Sequence, residues 1–304
     1  MYDIVVIGGG PAGMTAALYG CRNGKSVLII ERDNFGGKMT NSPKLENYPG
    51  YSQISGNELA EKMLDQITAQ GVEIVIAEAN AVQDHGSYKT VVAEEETYDA
   101  KSVIIASGVK HRLLGLDGEE DLIGEGVSFC AVCDGDFYKN REVCVVGGAS
   151  SALQEALLLS KKCSKVTLVH YRDRLAGEVR LQEVLATKDN VEVLLNKKVD
   201  ELLVEDDELV GVRLENCVSG EKSTLPCDGI FVAIGLIPEN TAFEDVASLD
   251  DYGYFDAGEE CSTKTAGVYV AGDCRKKINR QVTTAVSDGA VAALAACRYV
   301  DGIS

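Results

Sequence analysis

Residues 3–21 read DIVVIGGGPAGMTAALYGC, and this stretch decides the fold. IVVI, at 4–7, is a continuous run of β-branched residues, the composition of a strand buried on both faces. Three glycines break it, and PAGMTAALYGC then returns to small and apolar residues in a helical pattern. Gly8, Gly10 and Gly13 stand at G-x-G-x-x-G spacing. In that pattern the first glycine makes the tight turn, the second lets the backbone approach a pyrophosphate, and the third lets helix and strand pack closely. Pro11 and Ala12 open the helix, whose N-terminus then faces the phosphates. A second strand, SVLIIE, ends in Glu31, 23 residues after Gly8, where a carboxylate is placed to accept from a ribose hydroxyl pair.

The same plan returns at 141–174 as REVCVVGGASSALQEALLLSKKCSKVTLVHYRDR. Strand, turn at Gly147, helix opening at Ser150 and Ser151, and second strand follow in order. Counting 23 residues from Gly147 gives His170, followed by Arg172 and Arg174. Loss of the acid beside arginines is the pattern for a 2′-phosphate, hence for NADP. Two such units in one chain suggest a flavin and a nicotinamide, between which hydride crosses.

The units are not consecutive. After CDGIFVAIGLIPEN at 227–240, residues 265–297 read TAGVYVAGDCRKKINRQVTTAVSDGAVAALAAC, a strand, a Gly-Asp turn and a long small-residue helix. That strand is expected to close the first unit, with Asp273 reaching flavin phosphate or ribityl oxygens. The expected fold is therefore α/β, with two Rossmann-like dinucleotide-binding domains, the second inserted in the first. A FAD-binding domain is expected over 1–113 and 241–304, and a nicotinamide-type domain over 114–240.

At 304 residues, 45% hydrophobic and 25% charged, the chain has the balance of a globular protein of about two domains. Lys and Arg number 29 against 48 Asp and Glu, a net charge of −19 that disfavours nucleic acid or an anionic membrane as partner. The acids cluster in EEET at 94–97 and EDDE at 205–208, which read as solvated hairpin turns. MYDIVVIGGG runs straight into a strand with no basic n-region or cleavable apolar stretch, which predicts a cytoplasmic address. In that reducing compartment ten cysteines are not a disulfide framework. Cys21, Cys144, Cys163 and Cys297 fall within helix or strand patterns and read as small core residues.

FCAVCDGDF at 129–137 stands apart, with Cys130 and Cys133 two residues apart and Asp134 adjacent. Zinc would need a second close pair of ligands. The three histidines, His85, His111 and His170, are scattered and no second Cys-x-x-Cys exists, so no metal is expected. A dithiol cycling through a disulfide fits the spacing, with Asp134 as candidate proton donor.

With these motifs in order, the chain resembles the low-molecular-weight thioredoxin reductases, FAD-dependent pyridine nucleotide-disulfide oxidoreductases. The resemblance runs from end to end: GGGPAG at 8–13, FGGK at 35–38, ENYPG at 46–50, SFCAVCDG at 128–135, GLIPEN at 235–240, AGD at 271–273 and RQVTTAVSDG at 280–289. It implies FAD held by Gly10, Pro11, Ala12, Glu31, Gly37, Lys38, Asn47, Ser107, Asp273, Arg280, Gln281 and Val282. It implies a redox pair in which Cys133 faces the flavin and Cys130 attacks thioredoxin or a similar dithiol protein, with Asp134 as the acid. It further implies a homodimer whose nucleotide domain rotates to expose the dithiol. The helix after Gln281 would present its positive end to the flavin pyrimidine, where negative charge gathers on reduction.

The nicotinamide site departs from the family pattern. Ala149 stands where the second glycine belongs, and two of three expected arginines are Tyr171 and Ala176. Arg172 remains, with Arg174 nearby. Each lost bidentate arginine weakens phosphate recognition by about 1.5–3 kcal/mol if nothing replaces it. The donor is left open among NADPH, NADH and reduced ferredoxin, although the net charge of −19 disfavours an acidic ferredoxin. The remaining alternative is a flavin redox sensor without turnover, against which the intact Cys-Ala-Val-Cys-Asp stands.

Overall fold

A computed structural model describes residues 1–303. The chain divides into two compact units, one formed by Met1–Lys110 with the segment from Ile237 onward, the other by His111–Leu236.

In the first unit β1 (Tyr2–Ile7) leads through the glycine turn into α1 (Pro11–Arg22), then β2 (Val27–Glu31), α2 (Gly56–Ala69), β3 (Glu73–Ile76), β4 (Ala79–Asp84), β5 (Lys89–Ala93) and β6 (Glu96–Ile105). Pro11 lies in the first turn of α1, where its missing N–H leaves no bond unmade. The Ser55 hydroxyl caps α2 by accepting the Glu58 N–H at 3.0 Å. β3, β2, β1 and β6 are neighbours in one sheet, and β4, β5 and the first half of β6 fold as an antiparallel meander from it.

β7 (Lys110–His111) carries the chain onward. The second unit holds β8 (Val127–Ser128), α3 (Ala131–Asp134), β9 (Glu142–Val146), α4 (Ser150–Leu159), β10 (Lys165–Val169), α5 (Val179–Leu185) and β11 (Val191–Leu194). It continues with β12 (Lys197–Glu205), β13 (Glu208–Asn216), β14 (Lys222–Pro226) and β15 (Gly229–Val232). Its parallel sheet runs β11-β10-β9-β15-β8, beside an antiparallel sheet β12-β13-β14. β16 (Leu236–Ile237) pairs with β7, and the chain returns to the first unit. There β17 (Val268–Val270) pairs parallel to β6, and α6 (Val282–Gly302) follows. Both units are thus parallel α/β sheets of the dinucleotide-binding kind.

Alternation along β1 builds the first core. Ile4 and Val6 face the layer of α1 and α6, while Val5 and Ile7 face the layer beneath the meander. α6 runs so close to α1 that a Cβ at Gly289 would stand 2.2 Å from the Ala12 carbonyl oxygen. In the second unit Val143 and Val145 of β9 pack toward α4, and Cys144 and Val146 pack toward the antiparallel sheet.

The acidic runs form hairpin turns, Glu94 and Glu95 between β5 and β6, Asp206 and Asp207 between β12 and β13. Cys21, Cys144 and Cys297 sit on α1, β9 and α6; Cys163 instead lies in the turn between α4 and β10, buried there at 6% exposure. Among the described residues no helix is long and apolar enough to cross a membrane.

Candidate functional site

The first glycine turn is built by close packing on one side and open space on the other. Gly8 adopts φ +104°, and a Cβ there would lie 2.3 Å from the Ala106 carbonyl oxygen; one at Gly13 would lie 1.7 Å from that of Gly8. At Gly10, by contrast, nothing lies within 4 Å of where a Cβ would be. Gly10 is the N-cap residue of α1, so this gap opens onto the N–H groups of Pro11's successors, an anion cradle. Glu31, at the end of β2, accepts the Gly9 N–H at 2.5 Å and the Asp33 N–H at 3.0 Å. These bonds fix its carboxylate at the edge of the turn while leaving lone pairs for further donors.

Residues far apart in sequence meet around Asp273. This aspartate lies in the 3₁₀ turn Gly272–Cys274 after β17. Lys38, in the 3₁₀ turn Gly37–Asn41, reaches it at 3.4 Å, and Arg280 donates to its carbonyl at 3.3 Å. Burial pushes the Lys38 ammonium below its usual value, against the pull of Asp273. The Arg280 guanidinium lies over the Tyr254 ring, 4.3 Å from its centre. Gln281 caps α6 ahead of Val282 in a capping box with Thr284 and accepts from Asn47 Nδ2 at 3.2 Å. Ser107 donates to Asn240 at 2.9 Å, and Asn240 in turn donates to the carbonyls of Gly253 and Cys274. The structure therefore brings together Gly37, Lys38, Asn47, Asp273, Arg280, Gln281 and Val282.

One oxygen of Asp273, Oδ1, is buried without a hydrogen-bond partner. A buried acceptor left so is costly unless a ligand hydroxyl or N–H fills it. That vacancy of bonding, with the open cradle at Gly10, fits the flavin dinucleotide implied by the resemblance. Behind the turn Asp288 of α6 accepts from Gly272 N–H at 3.0 Å, Arg275 Nε at 2.8 Å and Lys277 Nζ at 2.9 Å. Burial opposes ionisation of Asp288, but the two cations hold its carboxyl below the usual range.

The second unit presents the cysteine pair. Cys130 and Cys133 form a disulfide with Cα atoms 5.3 Å apart, at the start of the short helix α3. The Ser128 hydroxyl accepts the Cys130 N–H at 3.2 Å and donates to Asp134 Oδ2 at 2.7 Å. Asp134 is 8% exposed and its Oδ1 has no partner. Burial lifts its carboxyl above the usual carboxylate range, only partly offset by the Ser128 bond. A protonated carboxyl beside a sulfur pair is a proton donor for a leaving thiolate. Elsewhere burial pushes the thiols of Cys144, Cys227 and Cys274 upward, which keeps them inert.

The second glycine turn differs in detail. Gly147 holds φ +150°, and a Cβ there would meet Ala233 O at 2.5 Å, the counterpart of Gly8 against Ala106. Ala149 is the N-cap of α4 and is exposed, with Ser150 and Ser151 following at the helix start. His170 packs on Gly148, where a Cβ would be 2.3 Å from the ring. Both His170 ring nitrogens are buried without partners, and burial, with Arg172 next, holds its pKa below the usual value. Segment 176–178 folds back over the turn: Ala176 and Gly177 donate to Gly148 O at 2.8 and 3.0 Å, and Glu178 N–H donates to Ser150 Oγ at 3.0 Å. Arg172 and Arg174 are exposed, the former over the Tyr171 ring at 5.1 Å.

Sequence reasoning missed Glu155. It lies on α4 with Ala152, Ala156 and Leu159, at i, i+3, i+4 and i+7 spacing on the buried stripe, so an acid on an apolar face was the available signal. Its carboxylate accepts the Ala131 N–H at the start of α3. Burial raises its pKa to about 7, against that hydrogen bond and with the charge of Asp134. Asp288 carried the same signal on the Ala285–Ala292 stripe of α6.

Residues 2–289 match the family described as pyridine nucleotide-disulphide oxidoreductase. The thioredoxin reductase of Listeria monocytogenes is 44% identical over 301 residues, covering 99% of this chain and 94% of that protein. That of Bacillus subtilis is 42% identical over 301 residues, covering 99% and 95%. The crystal structure of thioredoxin reductase from Streptococcus pyogenes matches with a TM-score of 0.94 at 41% identity, covering 99% of each chain.

Proposed function

The chain belongs to the pyridine nucleotide-disulphide oxidoreductase family, and from that premise we propose that it is a flavoprotein thioredoxin reductase with Cys130 and Cys133 as its redox pair. The carrying observation is the Cys130–Cys133 disulfide beside a buried, protonation-prone Asp134. FAD is assigned to the first unit, where Gly8, Gly10, Pro11, Ala12, Gly13 and Glu31 would receive its adenosine and pyrophosphate. Gly37, Lys38, Asn47, Ser107, Asp273, Arg280, Gln281 and Val282 would take the rest. Bound there, FAD supplies the two-electron carrier that side chains lack.

Reduction of the Cys130–Cys133 disulfide takes up two electrons and two protons, giving two thiols. Cys130, as thiolate, attacks the thioredoxin disulfide; one partner sulfur leaves and is protonated, and a mixed disulfide forms. Cys133 then attacks Cys130 Sγ, restoring the internal disulfide and freeing the second partner sulfur as a thiol. Asp134 supplies and recovers the proton at Cys133, because its burial keeps the neutral form available above the ordinary carboxylate range.

NADPH is the proposed donor, with Gly147, Ser150 and Ser151 at the α4 N-terminus and Arg172 and Arg174 on the 2′-phosphate. The two exposed guanidiniums beside the turn support this. A homodimer in a cytoplasmic, reducing compartment is the proposed working form; light scattering on the holoenzyme checks the assembly. The function is tested by anaerobic titration of the yellow protein with NADPH, NADH and reduced ferredoxin, followed by addition of oxidised thioredoxin. Bleaching by NADPH and reoxidation by thioredoxin are expected. Bleaching by ferredoxin alone overturns the donor, and a bleached flavin that thioredoxin leaves reduced overturns the activity.

A further inference from the structure

Two carboxyl groups are bonded to the segment that carries the cysteine pair, and the mechanism above uses one. Glu155 projects from α4 onto the N–H of Ala131, the residue that follows Cys130. Asp134 lies on the same short helix, bonded through Oδ2 to Ser128, with Oδ1 unpartnered. The Cys130 sulfur accepts the Cys133 N–H at 3.2 Å. Three groups able to carry negative charge, Glu155, Asp134 and a cysteine thiolate, therefore crowd one turn of chain. The other elements packed on α4 bring apolar side chains, Val143 and Val145 from β9, Val166 and Leu168 from β10, and Leu185 from α5. Tyr138 is a further titratable neighbour of Asp134; burial lifts its hydroxyl to about 12, so that it stays neutral throughout the working range.

We propose that Glu155 is a positioning residue for the redox pair: its carboxylate, held on the Ala131 N–H, sets the charge against which a thiolate forms at Cys130 or Cys133. With Glu155 ionised, loss of a thiol proton would add a second negative charge to a turn that also holds Asp134. With Glu155 protonated, that opposition is gone. The exchange balances as thiol plus carboxylate giving thiolate plus carboxylic acid, with both protons passing through solvent and no change in net charge. Glu155 thus keeps the reduced pair protonated at rest and releases a thiolate when it takes up a proton. This inference rests on the reading of Cys130 and Cys133 as the redox pair.

The test is alkylation by iodoacetamide of the dithiothreitol-reduced holoenzyme between pH 5.5 and 8.5, with adducts at Cys130 and Cys133 counted by peptide mass. Glu155→Gln keeps an acceptor for the Ala131 N–H but cannot ionise; Glu155→Asp keeps the charge. The ratio of Glu155→Gln to wild-type rates is expected near 1 at pH 5.5, rising through the titration of Glu155 near 7 to about tenfold at pH 7.5. Glu155→Asp is expected to stay within about twofold of wild type. A ratio that is flat across the range overturns the role of Glu155. Should Glu155→Gln lose its flavin, the wild-type profile decides: an inflection near 7 in addition to that of the thiol supports the role, and a single titration overturns it. If wild type shows no reduction-dependent alkylation at either cysteine, the redox-pair reading itself falls and the proposal with it.

Discussion

The two glycine turns share a plan and differ in what stands at its key positions. Gly8 and Gly147 occupy corresponding places, each too close to a facing carbonyl for any side chain. Two residues on, Gly10 leaves the space before its helix open, and Ala149 puts a methyl there. Five residues on, Gly13 touches the turn's own backbone, whereas Ala152 fits in the core. At the end of the next strand Glu31 receives two backbone N–H groups, and His170 packs its ring on Gly148. The first turn is fixed by close backbone contact and by a carboxylate bonded to its edge. The second keeps the scaffold, and the strand after its helix is followed by the exposed Arg172 and Arg174.

The largest effect that would sharpen this comparison is expected at Gly13. In Gly13→Ala the new methyl would stand 1.7 Å from the backbone oxygen of Gly8, with no flexible side chain to give way, so a loss of about 3 kcal/mol or more is expected, with release of flavin on dilution. Its counterpart Ala152→Gly is expected to cost only about 1 kcal/mol. Urea unfolding of the two variants compares them directly, and equal losses would break the asymmetry.

Next in size, Arg172→Ala is expected to raise KM for NADPH roughly tenfold to a hundredfold while leaving NADH within about twofold. Parallel losses for both nucleotides would remove Arg172 from the 2′-phosphate.

The acids of the two units titrate differently too. Glu155 has a folded value of about 7 against 4.5 for the free side chain, so between these values the folded state binds a proton that the unfolded state has released. Its contribution to stability is full below about 4.5, falls as pH rises, and is lost above about 7. Wild type is therefore expected to lose about 1–3 kcal/mol relative to Glu155→Gln between pH 5 and pH 8, seen as a shift of several degrees between their melting temperatures. The smallest effect is expected from Ala149→Gly, which gives the second turn the open cradle of the first. A few-fold lower KM for NADPH would follow, and an unchanged value would show that the methyl does not meet the phosphates.

Much of this was legible in the sequence where local pattern and chemistry coincide. Gly8, Gly10, Gly13 and Glu31 announce themselves because a strand, a tight turn and a helix start each constrain residue type within a short span. The same holds for Cys130, Cys133 and Asp134. The partners made by long-range packing were not legible in this way. Nothing local says that Asn240 ties Ser107 to the Cys274 carbonyl, or that Asp288 draws Arg275, Lys277 and the Gly272 N–H together. Glu155 and Asp288 were visible only as acids on apolar helix stripes, a pattern that marks a buried charge without naming its partner. Cys163 was misplaced because SKKCSK, at 160–165, continues a helical composition past the point where α4 stops.

The order in which the strands lie also has a consequence for synthesis. The sheet that holds the first turn takes its strand β17 and its covering helix α6 from the far side of the inserted unit. On the ribosome the inner unit has all its elements by residue 236, while the outer one waits for the 66 further residues that reach Gly302. At ordinary elongation speed that delay is roughly 3–13 s. Through it β6 has one unpaired edge over Val103–Ile105, and α1 lacks the helix α6 that packs along it. The unit whose first strands precede the insertion is thus the one finished after it, and the nascent chain must keep an apolar surface from aggregating until α6 arrives.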